Sequence, residues 1–226
     1  MWMKIGVIGG TGSHGGGLAL RLAIAGEDVV IGSRSLDKAK KAVDKYQDIV
    51  KVSSGKTVKL EGRENTDAAK DCDVVVLSVP YTSQVQTLHE IQSFMNQETI
   101  LIDVSVPLEW KNGQPTPVAI PEGSCAERAA SVLKDSDIIV IGAFKTIGAY
   151  SLRDVLIDLK GDIFLCGEDE TAKETVAQLV KKIKKLRPLD AGPLSNSRAS
   201  ELMVPLLIHL NKRYRSSQAY IKVLNI

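Results

Sequence analysis
Cysteine and histidine are both scarce in this chain, three of each in 226 residues. The cysteines, Cys72, Cys125 and Cys166, are odd in number, far apart and in no C-x-x-C pair. That excludes a disulfide framework and a zinc site, and no metal is expected. They read as small buried side chains. Long apolar runs are also missing. None approaches the ~18–20 residues that cross a bilayer, and "MWMKIG" enters a strand without a signal-peptide core, so a cytoplasmic protein without membrane contact is expected. Charge of one sign is lacking too: 29 basic against 27 acidic residues leave a net +2, too balanced for a nucleic-acid partner. Aromatic residues, at 4%, are few. Hydrophobic content of 44% and charged content of 25% nevertheless match a folded globular chain whose partner is a small molecule.

Short β-branched runs alternate with helical patterns. The runs are "KIGVIG" (4–9), "DVVIGS" (28–33), "TVKLEG" (57–62), "DVVVLSV" (73–79), "TILIDVS" (99–105) and "DIIVIGA" (137–143). Several are apolar without interruption, as strands covered on both faces require. Helices are expected at about 12–26, 36–49, 64–70, 82–95 and 124–134, which gives a doubly wound, mainly parallel α/β sheet of the Rossmann type. The alternation stops near 143–150. Residues 1–145 therefore read as one domain and 146–226 as a small C-terminal α/β or helical domain. That part holds a strand-like "DIFLCG", a helix with Val176, Leu179, Val180, Ile183 and Leu186 on one stripe, an irregular "RPLDAGPLSNSR" and a helix at 199–214. The last helix is apolar nearly all round, which predicts burial under its own domain or against a second subunit, and a homodimer is expected.

Glycine is concentrated in one place. Six of the eleven residues in "IGGTGSHGGGL" (8–18) are glycine, and within them Gly10, Gly12 and Gly15 form G-x-G-x-x-G between a strand and a helix. Gly10 fits the tight turn, Gly12 the approach of backbone to a pyrophosphate, and Gly15 the close packing of helix on strand. The anion would sit at the helix N-terminus, near the backbone of His14, with the imidazole ring directed to solvent. No Gly-Lys-Ser/Thr follows, so a Walker A loop is excluded. The second strand ends without the carboxylate that would accept from a ribose 2′-hydroxyl. It offers Ser33 and Arg34, with Lys38 one turn later, groups that bond and neutralise a 2′-phosphate, so NADP is expected.

Acids and bases in a recognisable catalytic pattern are absent, and no catalytic residue is assigned. His89 and His209 fall on helices and read as structural. Hydride transfer between two cofactors needs orientation more than protein acids and bases. The C-terminal strand ends supply Val79, Pro80, Tyr81 and Val85, then Val106 and Pro107, then Lys145, Thr146, Ile147 and Ala149, a mainly apolar wall that keeps water from a hydride. Lys145 is the candidate to hold an anionic group of the second substrate.

The combination "GGTGSHG", "GSRSLDKA", "CDVVVLSVPY", "KTIGA" and "LRPLDAGPLSNSR", in this order from about residue 4 to 210, resembles the NADPH-dependent reductases of coenzyme F420. The resemblance implies NADP contacts at Thr11, Gly12, Ser13, His14, Ser33, Arg34, Lys38, Val79 and Val85, with Ala149 at the nicotinamide carboxamide. It also implies a deazaflavin ring stacked on the nicotinamide beside "KTIGA", with hydride passing between deazaflavin C5 and nicotinamide C4. The family commonly reads His-Thr-Ile-Pro-Ala where Lys145–Ala149 stands, tryptophan where Tyr81 stands, and a second arginine at Ser35. Alternatives to F420 reduction are an NADPH-dependent flavin or ferric-chelate reductase and a non-catalytic NADP sensor. The basic run Lys181, Lys182, Lys184, Lys185 and Arg187 reads as a solvated helix end, with the acidic tail of F420 as its other reading.

Overall fold
The computed structural model describes residues 2–55 and 57–226. Six strands form one parallel sheet: β1 (Lys4–Ile8), β2 (Asp28–Ser33), β3 (Leu60–Glu64), β4 (Val74–Leu77), β5 (Ile100–Asp103) and, after a hairpin described below, β8 (Ile139–Gly142). Their order is β3-β2-β1-β4-β5-β8, the doubly wound arrangement expected. The chain reverses its direction of travel at β1, so the ends of β1 and β4 open a crevice. Every residue of "VVVL" in β4 and "ILID" in β5 is buried, which explains why the apolar runs are continuous.

Helices cover both faces: α1 (Ser13–Ile24), α2 (Leu36–Ser54), α3 (Asn65–Ala69), α4 (Gln84–Ile91) and α5 (Cys125–Val132). The cysteines are free and buried, as their scatter suggested. Beyond β8 follow α6 (Ala149–Arg153), β9 (Gly161–Leu165), α7 (Glu170–Lys182), β10 (Leu186–Asp190) and α8 (Ser197–Arg213). β9 and β10 pair in parallel, and a two-hydrogen-bond bridge between Gly142 and Cys166 joins them to the main sheet. Val176, Leu179, Val180, Ile183 and Leu186 are buried, in the same core as Ile5, Leu18 and Val76.

Two elements differ from the sequence reading. β10 lies within the segment taken as irregular, because Pro188 costs little in a two-stranded sheet. A separate antiparallel hairpin of β6 (Leu108–Lys111) and β7 (Gln114–Pro117) was not foreseen. Its turn, Asn112-Gly113, has both residues at positive φ (51° and 69°), the conformation that Asn-Gly supplies. The third strand also begins three residues later than expected, at Leu60. In α8 the burial is one-sided: Ser200, Glu201, Pro205 and Leu207 are covered, whereas Leu202 and Leu206 stand 61% and 56% exposed in the single chain.

α6 is held against α1 by shape and by one guanidinium. A Cβ on Gly17 would lie 2.6 Å from Leu152 Cβ, so only glycine admits this approach. Arg21 donates to the carbonyls of Leu152 (3.0 Å), Ser151 (2.9 Å), Asp154 (2.5 Å) and Ile157 (2.9 Å), which gather at the C-terminal end of the short helix. Arg21→Met preserves length but leaves these carbonyls without a donor. It is expected to lower unfolding free energy by about 2–3 kcal/mol in urea titration; an unchanged midpoint would mean that water replaces the guanidinium.

Candidate active site
The glycine loop is shaped by contacts that side chains would prevent. Gly9 takes φ +76°, and a Cβ there would meet Ser78 O at 2.3 Å. Gly10 N donates to Val7 O and Gly32 O, closing the turn, and Gly15 packs so near Gly9 O and Ser78 that a Cβ would lie 2.8–2.9 Å from them. Gly10 and Gly15 are thus buried beneath the site, while Thr11, Gly12 and Ser13 are exposed upon it. α1 begins at Ser13, where the first-turn N–H groups have no intrahelical partner.

A cleft of about 290 Å³ runs from this loop along the end of β2. Thr11, Gly12, Ser33, Arg34, Lys38 and Val79 line it, as the sequence reading grouped them. Among the described residues no carboxylate pairs with Arg34 or Lys38, so both cations remain available. The sequence reading missed Asn65, Gln86 and Thr87 on the opposite wall. Asn65 is 8% exposed, and its buried Oδ1 has no hydrogen-bond partner.

Gly12 and Val79 also line a second cavity, of about 460 Å³, with Ser13, His14, Tyr81, Lys145, Ile147 and Ala149. Its further wall comes from Val104 and Val106 after β5 and from Val204 and Ile208 of α8. The two hollows meet at Gly12, Ser78, Val79 and Pro80, which line both. Besides the buried Gly10 and Gly15, three expected residues lie off both linings. Val85 faces elsewhere on α4, Thr146 is 6% exposed behind the loop, and buried Pro107 anchors the hairpin by accepting from Val118 N.

His14 differs from expectation. Its ring is not directed to solvent: Nε2 lies 3.2 Å from Phe144 O, and Nδ1 is buried without a hydrogen-bond partner. The segment that covers it is 130 residues away in sequence, which is why local reading missed it. Burial pulls the imidazole pKa down to about 4, against the smaller opposing effect of the Phe144 and Ile147 carbonyls; the Lys145 charge lowers it further. His14 is therefore neutral at pH 7.

Lys145 lines the second cavity, yet its ammonium is already engaged. Nζ donates to Asp103 Oδ2 (2.6 Å) and Ser105 O (2.9 Å) and pairs with Glu201 Oε1 (3.0 Å), with all three charged side chains at most 3% exposed. Holding a substrate anion would require an ammonium free of these carboxylates. Asp103 Oδ1 accepts from Gln84 Nε2, and Gln84 Oε1 accepts from Arg128 Nε, so a second cation closes the charge balance through an amide. Glu201 also accepts from the N–H groups of Cys125 and Ala126 at the start of α5. Burial opposes the Lys145 charge, but Asp103 and Glu201 outweigh it and hold the ammonium above its ordinary range. Burial pushes the Glu201 carboxyl up, and Lys145 pulls it back.

Arg153 was also missed. The Arg21 clamp on α6 brings Arg153 Nη1 to 3.4 Å from Ser13 Oγ, beside the open N–H groups of α1. Tyr81, by contrast, sits where expected. Its hydroxyl donates to Glu109 Oε1 at 3.0 Å, and the Arg128 guanidinium lies 5.7 Å from its ring centre.

Two outcomes test this geometry. Lys145→Met leaves Asp103 and Glu201 buried without their shared cation and is expected to cost about 3–5 kcal/mol of unfolding free energy; a loss below about 1 kcal/mol would show that the cluster does not tie the walls together. His14 has a folded pKa below its unfolded value, so its contribution to stability is complete above about pH 6.5 and is lost as pH falls toward 4. His14→Gln should flatten the stability–pH curve in that window, and an NMR titration of the ring should give a midpoint near 4.

The same assignment follows from known proteins. Residues 4–107 match the family described as NADP oxidoreductase coenzyme F420-dependent. The F420-dependent NADP reductase of Methanothermobacter thermautotrophicus is 41% identical over 228 residues, which span 100% of this chain and 97% of the relative. The enzyme of that name from Methanocaldococcus jannaschii is 40% identical over 226 residues and 99% of each chain. A crystal structure from an Arthrobacter species has a TM-score of 0.82 over 99% of this chain and 100% of the other, at 23% identity, and so shares the fold. The family match and the identity over the full length agree: the chain belongs to the coenzyme F420-dependent NADP oxidoreductase family.

Proposed function
We propose that this protein transfers hydride between NADPH and the deazaflavin coenzyme F420. The observation that carries the reading is one continuous depression, polar and cationic at Arg34 and Lys38, apolar at Val79, Val104, Val204 and Ile208, with the glycine loop between. The residues fit NADP. A Cβ at Gly12 would come within 3.2 Å of Gly9 O, and the bare, exposed backbone leaves room for a pyrophosphate. Ser33, Arg34 and Lys38 would hold the 2′-phosphate; Thr11, Gly12, Ser13 and the backbone of His14 would hold the pyrophosphate, with Arg153 beside them. Ala149 would meet the carboxamide.

When bound, the nicotinamide exchanges a hydride between its C4 and C5 of the deazaflavin. The chain supplies position and dryness. Val79, Ile147, Val204 and Ile208 keep water from the reacting carbons, and neutral His14 adds no charge beside them. Lys145, held by Asp103 and Glu201, fixes the end of β5, the loop at 144–149 and α8 as one wall. In this reading residues 1–145 hold NADP, and 146–226 complete the acceptor pocket through Ala149, Val204 and Ile208. The exposed Leu202 and Leu206 of α8 support a homodimer, in which a second copy covers them. No helix among the described residues is long and apolar enough to cross a membrane, which fits a cytoplasmic enzyme.

The test is reduction of F420 by NADPH, followed by loss of deazaflavin absorbance, with NADH, FMN and FAD in parallel. Fast F420 reduction with NADPH alone is the expected result. Reduction of flavin only would assign a flavin reductase, and NADPH binding without turnover would assign a sensor. In the Arg34→Ala/Lys38→Ala variant, KM for NADPH should rise about 10–100-fold with kcat nearly unchanged. An unaltered KM would remove these residues from the 2′-phosphate.

A further inference from the structure
Two hollows outside the site described above remain without a role. One, of about 390 Å³, begins at Ile147 and Gly148, which it shares with the hydride cavity, and runs past Ser151 to Lys160, Lys185 and Tyr220. The other, of about 400 Å³, shares Lys160, Lys185 and Tyr220 with it and continues to Arg187 and Lys222. Together they make one groove that leads from the reacting site across the edge of β9 and β10. The C-terminal stretch forms its other bank: Ser217 O accepts from Ser151 Oγ, and Asp162 N donates to Ile221 O.

The groove is rich in unneutralised positive charge. Lys184 and Lys185 share the single carboxylate of Asp158. Asp162 is saturated by Arg187, at 2.8 and 2.7 Å, and by Val223 N, and these bonds hold it below the usual carboxylate range. Among the described residues, Lys160 and Lys222 have no carboxylate within 4 Å. Four lining cations, Lys160, Lys185, Arg187 and Lys222, therefore face two occupied carboxylates in a chain whose total charge is only +2. The basic run that the sequence displayed divides accordingly. Lys181 pairs with Glu174 and Lys182 with Glu27, outside the groove, whereas Lys185 and Arg187 line it beside two lysines drawn from distant segments.

We propose that this groove seats the acidic tail of the acceptor, a chain of phosphodiester and carboxylate groups, with Lys160 and Lys222 as its free anion contacts and Tyr220 as the bank between them. The proposal rests on the reading of the acceptor as F420. A polyanion entering here leaves the ring at Gly148 and meets cations in succession, so its charge supplies affinity without touching the hydride geometry.

The test compares F420 with a deazaflavin that lacks the phosphate and carboxylate tail, each bound to the full chain and followed by quenching of deazaflavin fluorescence. In Lys160→Glu/Lys222→Glu, Kd for F420 should rise about tenfold, Kd for the tailless deazaflavin and KM for NADPH should stay unchanged, and the salt dependence of F420 binding should flatten. Equal weakening of both deazaflavins, or no weakening of F420, would overturn the groove as tail site. If the wild-type chain binds the two equally, the groove proposal falls while the hydride reading stands; if it binds neither, both fall.

Discussion

A buried ammonium holds this molecule's working parts in register. Lys145 sits where the loop after β8 turns toward the glycine-rich segment, and its partners come from the end of β5 and from α8. Charge of this kind is costly to bury, and removing one member strands the others in low dielectric. The three elements are therefore constrained jointly, because each can move only by exposing or unpairing a charge. Glu201 extends the constraint by accepting from the start of α5, and Gln84 extends it by linking Asp103 to Arg128. The apolar wall of the hydride cavity is built on these anchors and inherits their fixed spacing.

The second constraint is the thinness of α1. Its successive glycines face different neighbours: Gly15 meets Ser78, Gly16 meets Tyr46 of α2, and Gly17 meets Leu152 of α6. One turn of helix is thus packed on three sides while the N–H groups at its leading end stay open. Glycine in a helix is costly in isolation, roughly 0.5–1 kcal/mol relative to alanine. Here that cost is offset by contacts that a Cβ would prevent, and the result is a binding site with little give.

Much of this was legible in the sequence, and the reason is locality. The doubly wound parallel sheet followed from alternation of apolar runs with helices, and the tight glycine turn from three glycines between a strand and a helix. The grouping of Ser33, Arg34 and Lys38 followed from their place after β2. What escaped were contacts between segments more than fifty residues apart. The enclosure of His14 by Phe144, the placement of Arg153 by Arg21 and the tie from Glu201 to Lys145 leave no periodic trace. Lys145 shows the limit well: a cation at a strand end reads as an anion holder until its two carboxylates are found. The hairpin at 108–117 was different, since its Asn-Gly turn was visible but masked by Pro115 and Pro117.

The Arg21 clamp bears on cooperativity. α1 leaves its first-turn N–H groups open at one end and carries α6 along its side, and the core passes without a break from β1 to α7. Occupation of the glycine loop therefore selects the state in which α6 and the segments after it are docked, by mass action on the folded ensemble. The two ends of the chain share one core, so a ligand bound by the first dozen residues would brace the last eighty.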